Sequence, residues 1–209
     1  VVVGEQIWMA ENLNYDYNKG TAKSYCYGND TANCIRYGRL YTWAAAMDSV
    51  KTGCGQGKVC SLSLLKVDVD SIQGVCPDGW HLPCYAEWIN LEKFILEEYL
   101  SLSITNSGAE VLKARSGWTE YDGKTGGDDR LGFGALPAGI FSGYEGKFLG
   151  MFDNAYFWSS SEDDWLYAHY LSLSYRSANF TYSLTGQYLT LYITGKDNAL
   201  SVRCVKDWP

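Results

Sequence analysis

Histidine and proline are scarce in this chain of 209 residues, which holds two of the first and four of the second. With only His81 and His169, a histidine-rich metal centre is excluded. No cysteine pair has CxxC spacing, so the usual signature of a tetrahedral zinc site is missing too. No apolar run approaches the length that spans a bilayer. A basic excess is also lacking: 17 Lys and Arg stand against 24 Asp and Glu, a net charge of −7. Neither phosphate neutralisation along nucleic acid nor docking on anionic lipid suits that balance. The GxSxG, HExxH and dinucleotide fingerprints are absent. Gly53–Lys58 looks like a phosphate loop, but Val59 stands where Ser or Thr is required. Asp68-Val69-Asp70 opens like a calcium loop, yet Gly79 occupies the place of its terminal Glu. His81 precedes Leu-Pro at a helix start and reads as structural. No catalytic residue is assigned, and the chain reads as noncatalytic.

What is present describes a folded protein. The hydrophobic fraction is 46% and the charged fraction 20%. A single domain over residues 1–209 is large enough to bury a core of its own. The first residues, VVVGEQIWMAENL, do not read as a signal peptide, so a targeting or anchor segment is expected to lie outside this chain.

Seven cysteines point to a disulfide framework in an oxidising compartment, hence to an exported, extracellular or cell-surface protein. Cys26 and Cys34 bracket a turn-rich loop, and Cys54 and Cys60 bracket another, so each pair is expected to bridge locally. A Cys76–Cys204 bridge would close about 129 residues and contribute about 4–5 kcal/mol through chain entropy. Cys84 is then left over.

The periodicity predicts α+β architecture. Strands are expected at 6–10, 133–136, 147–152, 156–160, 168–174, 188–194 and 201–205. Helices are expected at 39–48, at 83–100 and, more briefly, at 109–115. Trp88, Leu91, Ile95 and Tyr99 recur at helical spacing and make one apolar face. Helices come early and strands late, without βαβ alternation, which favours a mostly antiparallel sheet.

The candidate site is C-terminal. Residues 156–195 hold 7 of the 17 tyrosines, and residues 165–195 carry one formal charge, Arg176. Strand alternation places Leu171, Leu173, Leu189, Leu191 and Ile193 toward the core. It turns Tyr170, Ser172, Ser174, Tyr188, Thr190 and Tyr192 outward. Trp165, Arg176, Asn179 and Tyr182 are expected to gather around them in loops. Tyr and Ser dominate adaptable binding surfaces, because Tyr gives large amphipathic contact at low entropic cost. The expected ligand is a surface glycan or protein. Glu162, Asp163 and Asp164 form an acidic cluster; a solvated turn is the plain reading, and a structural calcium the functional one. No other cofactor is expected, nor any nucleic-acid partner or membrane insertion. Asn179-Phe180-Thr181 is a glycosylation sequon only in a eukaryotic secretory host.

Several segments together resemble the Fibrobacter succinogenes major paralogous domain, a family of exported bacterial proteins. They are IWMAENLNY at 7–15, YGRLYTWAAAM at 37–47, GVCPDGWHLPCYAEW at 74–88, GFGALPAG at 132–139, YFWSSSE at 156–162 and SVRCVKD at 201–207. The resemblance implies a C-type-lectin-like fold: a twisted, mostly antiparallel sheet with two helices and long disulfide-held loops. HLPCYAEW is similar to the RLPTEAEW stretch of the formylglycine-generating enzymes, whose oxidase chemistry needs a reactive cysteine pair in the C-terminal half. Here that half has only Cys204. Where relatives carry Thr or Ser as the helix cap this chain has Cys84, a poor cap. Residues 163–199 occupy the place of the diversified stretch in retroelement variable proteins, which resemble this fold. Together these imply an adhesin-like binding domain. The alternatives are a structural subunit of a surface fibre or lipoprotein, and an oxidase of the formylglycine-generating type.

Overall fold

Strand alternation and one amphipathic helix organise the computed structural model of the chain. It describes residues 1–55, 57, 60, 72–100, 109–176 and 191–207, the side chains of 99 and 100 excepted. In chain order the elements are β1 (Val2–Val3), β2 (Gln6–Ile7), β3 (Ser24–Tyr25), α1 (Thr31–Tyr37), β4 (Leu40–Thr42), α2 (Trp43–Ala46), α3 (Ser49–Thr52), β5 (Trp80–His81), α4 (Tyr85–Ile95), β6 (Ile140–Ser142), β7 (Lys147–Leu149), β8 (Asn154–Glu162), β9 (Tyr167–Ser174), β10 (Tyr192–Gly195), β11 (Ala199–Ser201) and β12 (Val205–Lys206). The main sheet runs β10-β9-β8-β11-β4-β3, with β6 and β7 branching from β11. Among the described strand pairs only β11–β8 is parallel; the class is α+β with mostly antiparallel pairing.

The sheet is covered on both faces, and the alternation of β8 and β9 decides which residues go where. Ala155, Phe157, Leu171 and Leu173 join one core cluster with Trp8, Phe133 and the α4 residues Trp88, Leu91 and Ile95. Trp158 and Ala168 join a second, with Tyr17, Tyr41, Trp43, Met47, Leu200 and Val202. The helical spacing of Trp88, Leu91 and Ile95 therefore yields the expected buried face. Cys84 is a weak cap, but Glu87 supplies the reciprocal half: its Oε2 accepts from the Cys84 N–H at 2.8 Å.

Two expected helices differ. The 39–48 stretch begins as β4, because Leu40, Tyr41 and Thr42 find partners in β11 and β3; Thr42 Oγ1 then accepts from the Ala45 N–H and starts α2. At 109–115 there is one turn and no helix. Its backbone is claimed by another segment, with Ala114 N–H donating to Ala135 O at 2.9 Å and Ala135 N–H to Leu112 O at 2.8 Å. The strand expected at 133–136 is reduced to the isolated Lys113–Ala135 bridge by the same pairing.

Arg203 joins parts of the chain remote in sequence. It is 1% exposed and donates to the carbonyls of Met9 and Phe133 and to Asn12 Oδ1. Its guanidinium lies 4.4 Å from the Phe133 ring centroid. Burial lowers its pKa, and Asp129 and Glu11 partly oppose that.

Two disulfides are present, Cys26–Cys34 and Cys76–Cys204. The expected Cys54–Cys60 bridge is not: both are thiols, as is Cys84. The Cys54 thiol instead meets Cys60 as a hydrogen-bond neighbour, and Cys60 N–H is held by Glu162 Oε1 at 2.5 Å. Peptide mapping without reduction is expected to recover the two bridges and to alkylate Cys54, Cys60 and Cys84 in denaturant. Replacing Cys76 and Cys204 together by Ser is expected to cost about 4–5 kcal/mol in urea unfolding, because the bridge closes a long loop.

Candidate functional site

The site is built on β8, β9 and β10. Tyr156 stands opposite Ser172, and Tyr170 pairs with both Trp158 and Tyr192. One face therefore collects Tyr156, Tyr170 and Tyr192 on three adjacent strands. Their rings form a ladder, with centroids 5.6 Å apart between Tyr156 and Tyr170 and 5.8 Å between Tyr170 and Tyr192. Both spacings lie in the favourable range for aromatic pairs. Ser172 and Ser174 continue the same face, half-buried, while Leu171, Leu173 and Leu191 are buried on the other.

The depth of the face differs from expectation. Tyr192 is 42% exposed, but Tyr170 is half-buried against the second core cluster. Burial, and then the neighbouring Tyr156 and Tyr192, push the Tyr170 phenol up to about 12, so it stays a neutral hydroxyl. Ile193, expected in the core, is 48% exposed. It lies on an edge strand opposite His169, beyond the point where the core closes over Leu191. His169 is itself buried, its ring edge-on to Tyr85 at 5.2 Å. Neither ring nitrogen has a hydrogen-bond partner among the described residues, and burial lowers its pKa.

Trp165 and Arg176 do not gather with the ladder as one cluster. They lie beyond opposite ends of β9, whose length sets them about 25–30 Å apart. Trp165 is 53% exposed in the β8–β9 turn. Arg176 Nε donates to Tyr175 Oη at 2.5 Å. Asn179, Tyr182, Tyr188, Leu189 and Thr190 lie outside the described residues.

Two of the three acidic residues, Glu162 and Asp164, are engaged within the fold. Glu162 and Lys196 form a buried ion pair at 2.5 Å, with side chains 3% and 0% exposed. Lys196 Nζ also donates to Asp164 O at 2.7 Å and sits 4.3 Å from the Trp43 ring centroid. Asp164 Oδ1 accepts from the N–H groups of Leu166 and Tyr167, both at 2.7 Å. Lys196 thus engages Glu162, and the turn is closed by Asp164. Among the described residues no group of three or more His, Cys, Asp or Glu is placed to hold a metal ion. Lys196 was missed because one lysine in a turn sequence gives no sign that it is buried.

The remaining fixed points are structural. Trp158 Nε1 donates to Tyr41 O at 2.6 Å and Trp43 Nε1 to Ser159 O at 3.0 Å, so the WSSSE segment is tied to β4 and α2. His81 is clamped between Asp207 Oδ1 and Glu87 Oε1, both at 2.6 Å. Burial alone would lower the His81 pKa; the two carboxylates outweigh it and raise it above 6.5.

Two stability tests follow from this geometry. Lys196→Met leaves Glu162 buried without its countercharge and is expected to cost about 3–5 kcal/mol, part of it regained in Glu162→Gln/Lys196→Met. For His81 the folded pKa is raised, so its contribution is full below the unfolded value of about 6.5 and is lost as pH rises through the folded value. His169 acts in the opposite sense, so the readout is the difference between wild type and His81→Gln. That difference in urea midpoint is expected to shrink from pH 5.5 toward alkaline pH, and a flat difference would contradict the assignment.

Comparison with curated proteins and with solved structures found no match. A family model for the Fibrobacter succinogenes major domain matches residues 1–206, and the chain belongs to that family.

Proposed function

We propose that this protein is a noncatalytic ligand-binding domain that recognises a surface protein or glycan through its tyrosine ladder. The observation that carries the reading is the alignment of Tyr156, Tyr170 and Tyr192 across three strands, with Ser172 and Ser174 beside them. Such a face supplies large, stiff, neutral contact area with hydroxyls at its rim, which costs little entropy to present. The finer fold, C-type-lectin-like, is part of the proposal. The pairing of the first strands with the last supports it, with Trp8 bridged to Val205 and Leu13 N–H donating to Val202 O at 2.9 Å. The two disulfides support an exported, extracellular or cell-surface location. The likeness of residues 163–199 to a diversified stretch fits a binding role of the same region.

Oxidase chemistry of the formylglycine-generating type fits less well. Cys204 is bridged. Burial, and then Cys60, push the Cys54 thiol up to about 11, and burial does the same for Cys84. Thiols held protonated at neutral pH are poor nucleophiles.

The test is binding of the labelled domain to a glycan array and to intact bacterial cells. Tyr170→Ala and Tyr192→Ala are each expected to weaken the strongest interaction by about 30-fold, the ~2 kcal/mol of a hot-spot aromatic. Tyr192→Ala should leave the urea midpoint nearly unchanged, since its ring is largely exposed. Undiminished binding by the double variant would overturn the reading. Self-association with no other binding would favour the structural-subunit alternative.

A further inference from the structure

A cleft lined by none of the ladder residues lies where segments 13–19, 48–51 and 73–78 meet. It is a half-open cleft of about 330 Å³. That is the lower end of the range of small-molecule sites, room for one or two small rings. Its walls are fixed. The Tyr41 hydroxyl accepts from the Tyr15 N–H at 2.8 Å and donates to Tyr15 O at 2.8 Å, which pins the backbone carrying that ring. Tyr17 is buried and donates to Asp48 Oδ1 at 2.5 Å, while Lys51 reaches Asp48 Oδ2 at 3.5 Å. Asp48 holds a left-handed backbone, φ 48°, to turn that carboxylate inward. On the far side Gly74, φ 57°, passes so close to α2 that a Cβ would lie 2.3 Å from Ala46 O. The Cys76–Cys204 bridge holds this wall in place.

The lining chemistry selects a ligand class. Lys19 and Lys51 are matched by Asp48 and Asp78, so the cleft has no excess of either sign. A phosphate would need a surplus of cations, and a divalent metal a surplus of carboxylates. Asp48 is already satisfied on both oxygens. The Gln73 amide nitrogen donates to Asp78 Oδ1 at 3.0 Å and to Cys76 O at 3.1 Å, leaving its carbonyl as the remaining polar atom. The lining therefore holds both ammonium donors, on Lys19 and Lys51, and oxygen acceptors, on Asp78 and Gln73. Tyr15, 55% exposed, offers an aromatic surface beside them. A ligand whose neighbouring groups both donate and accept, and which has an apolar ring face, fits this set. We propose that the cleft is a second binding site, for one or two rings of a neutral pyranose sugar. Tyr15 is its stacking platform, and Gln73, Asp78 and Lys19 bind the hydroxyls.

The test is saturation-transfer NMR on the full chain with the methyl glycosides of glucose, galactose, mannose and N-acetylglucosamine, and with cellobiose and maltose. At least one is expected to bind in the millimolar range. Tyr15→Ala and Gln73→Ala are each expected to weaken it by about tenfold, while Tyr144→Ala, whose ring is 94% exposed, leaves it unchanged. Unfolding midpoints of each variant serve as the check on folding, and two variants on different walls guard against one that fails to fold. Three results would overturn the proposal: no sugar binding, binding unaffected by both variants, or displacement of the sugar by equimolar phosphate or glycine. The ladder variants report on a different surface, so failure of either reading is distinguishable from failure of the other.

Discussion

The structure depends first on a cation in its interior. Arg203 is always charged at physiological pH, and burying it is costly unless every donor finds an oxygen. Each of its three nitrogens finds at least one, on Met9, Asn12 and Phe133, which lie almost two hundred, again almost two hundred, and 70 residues away. These acceptors are carbonyl and amide oxygens, so the position discriminates by geometry and not by charge. The observed arrangement of the N-terminal strands, the 133 loop and the segment between β11 and β12 brings all three to the guanidinium. The two phenyl rings beside it, Phe133 and Phe157, belong to the core cluster under α4. Arg203 thus couples chain topology to core packing, and the Cys76–Cys204 bridge one residue away fixes the same junction covalently.

What was legible in the sequence was whatever repeats locally. The period of two in residues 167–174 separated Leu171 and Leu173 from Tyr170 and Ser172 onto opposite faces, because side chains alternate along a strand, but it did not show that both faces carry a core cluster. The spacing of Trp88, Leu91 and Ile95 gave α4 for the same kind of reason. The turn at 109–115 failed because its backbone hydrogen bonds go to Ala135, a partner that local pattern does not reveal. The Glu162–Lys196 pair failed likewise. Each residue alone looks like a solvated charge, and only their juxtaposition across the β8–β9 and β10–β11 connections makes burial tolerable.

At the candidate site, side was readable and depth was not. Alternation tells which way Tyr170 points. What lies over it depends on where the second core cluster ends, and that is set by Trp43, Trp158 and Leu200 from three different elements. Ile193 is the converse, on the Leu171 side of the sheet yet 48% exposed. Trp165 and Arg176 looked like neighbours of the ladder because they flank β9 in sequence; an extended strand puts its ends far apart. The cleft beside Tyr15 was invisible because its three segments meet only after the sheet and the long-range bridge have formed.

The ladder and the cleft rest on one support. Tyr156 and Tyr170 pack against the same cluster that contains Tyr17, Val75 and Cys76 from the cleft wall. A core at organic-crystal density transmits little slack, so side chains seated on it are held before any ligand arrives. Preorganisation of this kind lowers the entropic cost of binding, which matters most for surfaces with few charges. The chain as a whole carries −7, yet no acidic or basic side chain belongs to the ladder, and burial raises the pKa of the Tyr156 and Tyr170 phenols. In the proposed binding role, attraction at that face would come from dispersion, apolar burial and hydroxyl hydrogen bonds, with no long-range steering by its own groups. Such a surface gains its selectivity at contact, from shape and from which hydroxyls are matched. In the proposed binding role the side chains along β9 and β10 would set the ligand, while the cation-centred junction beneath keeps the frame unchanged.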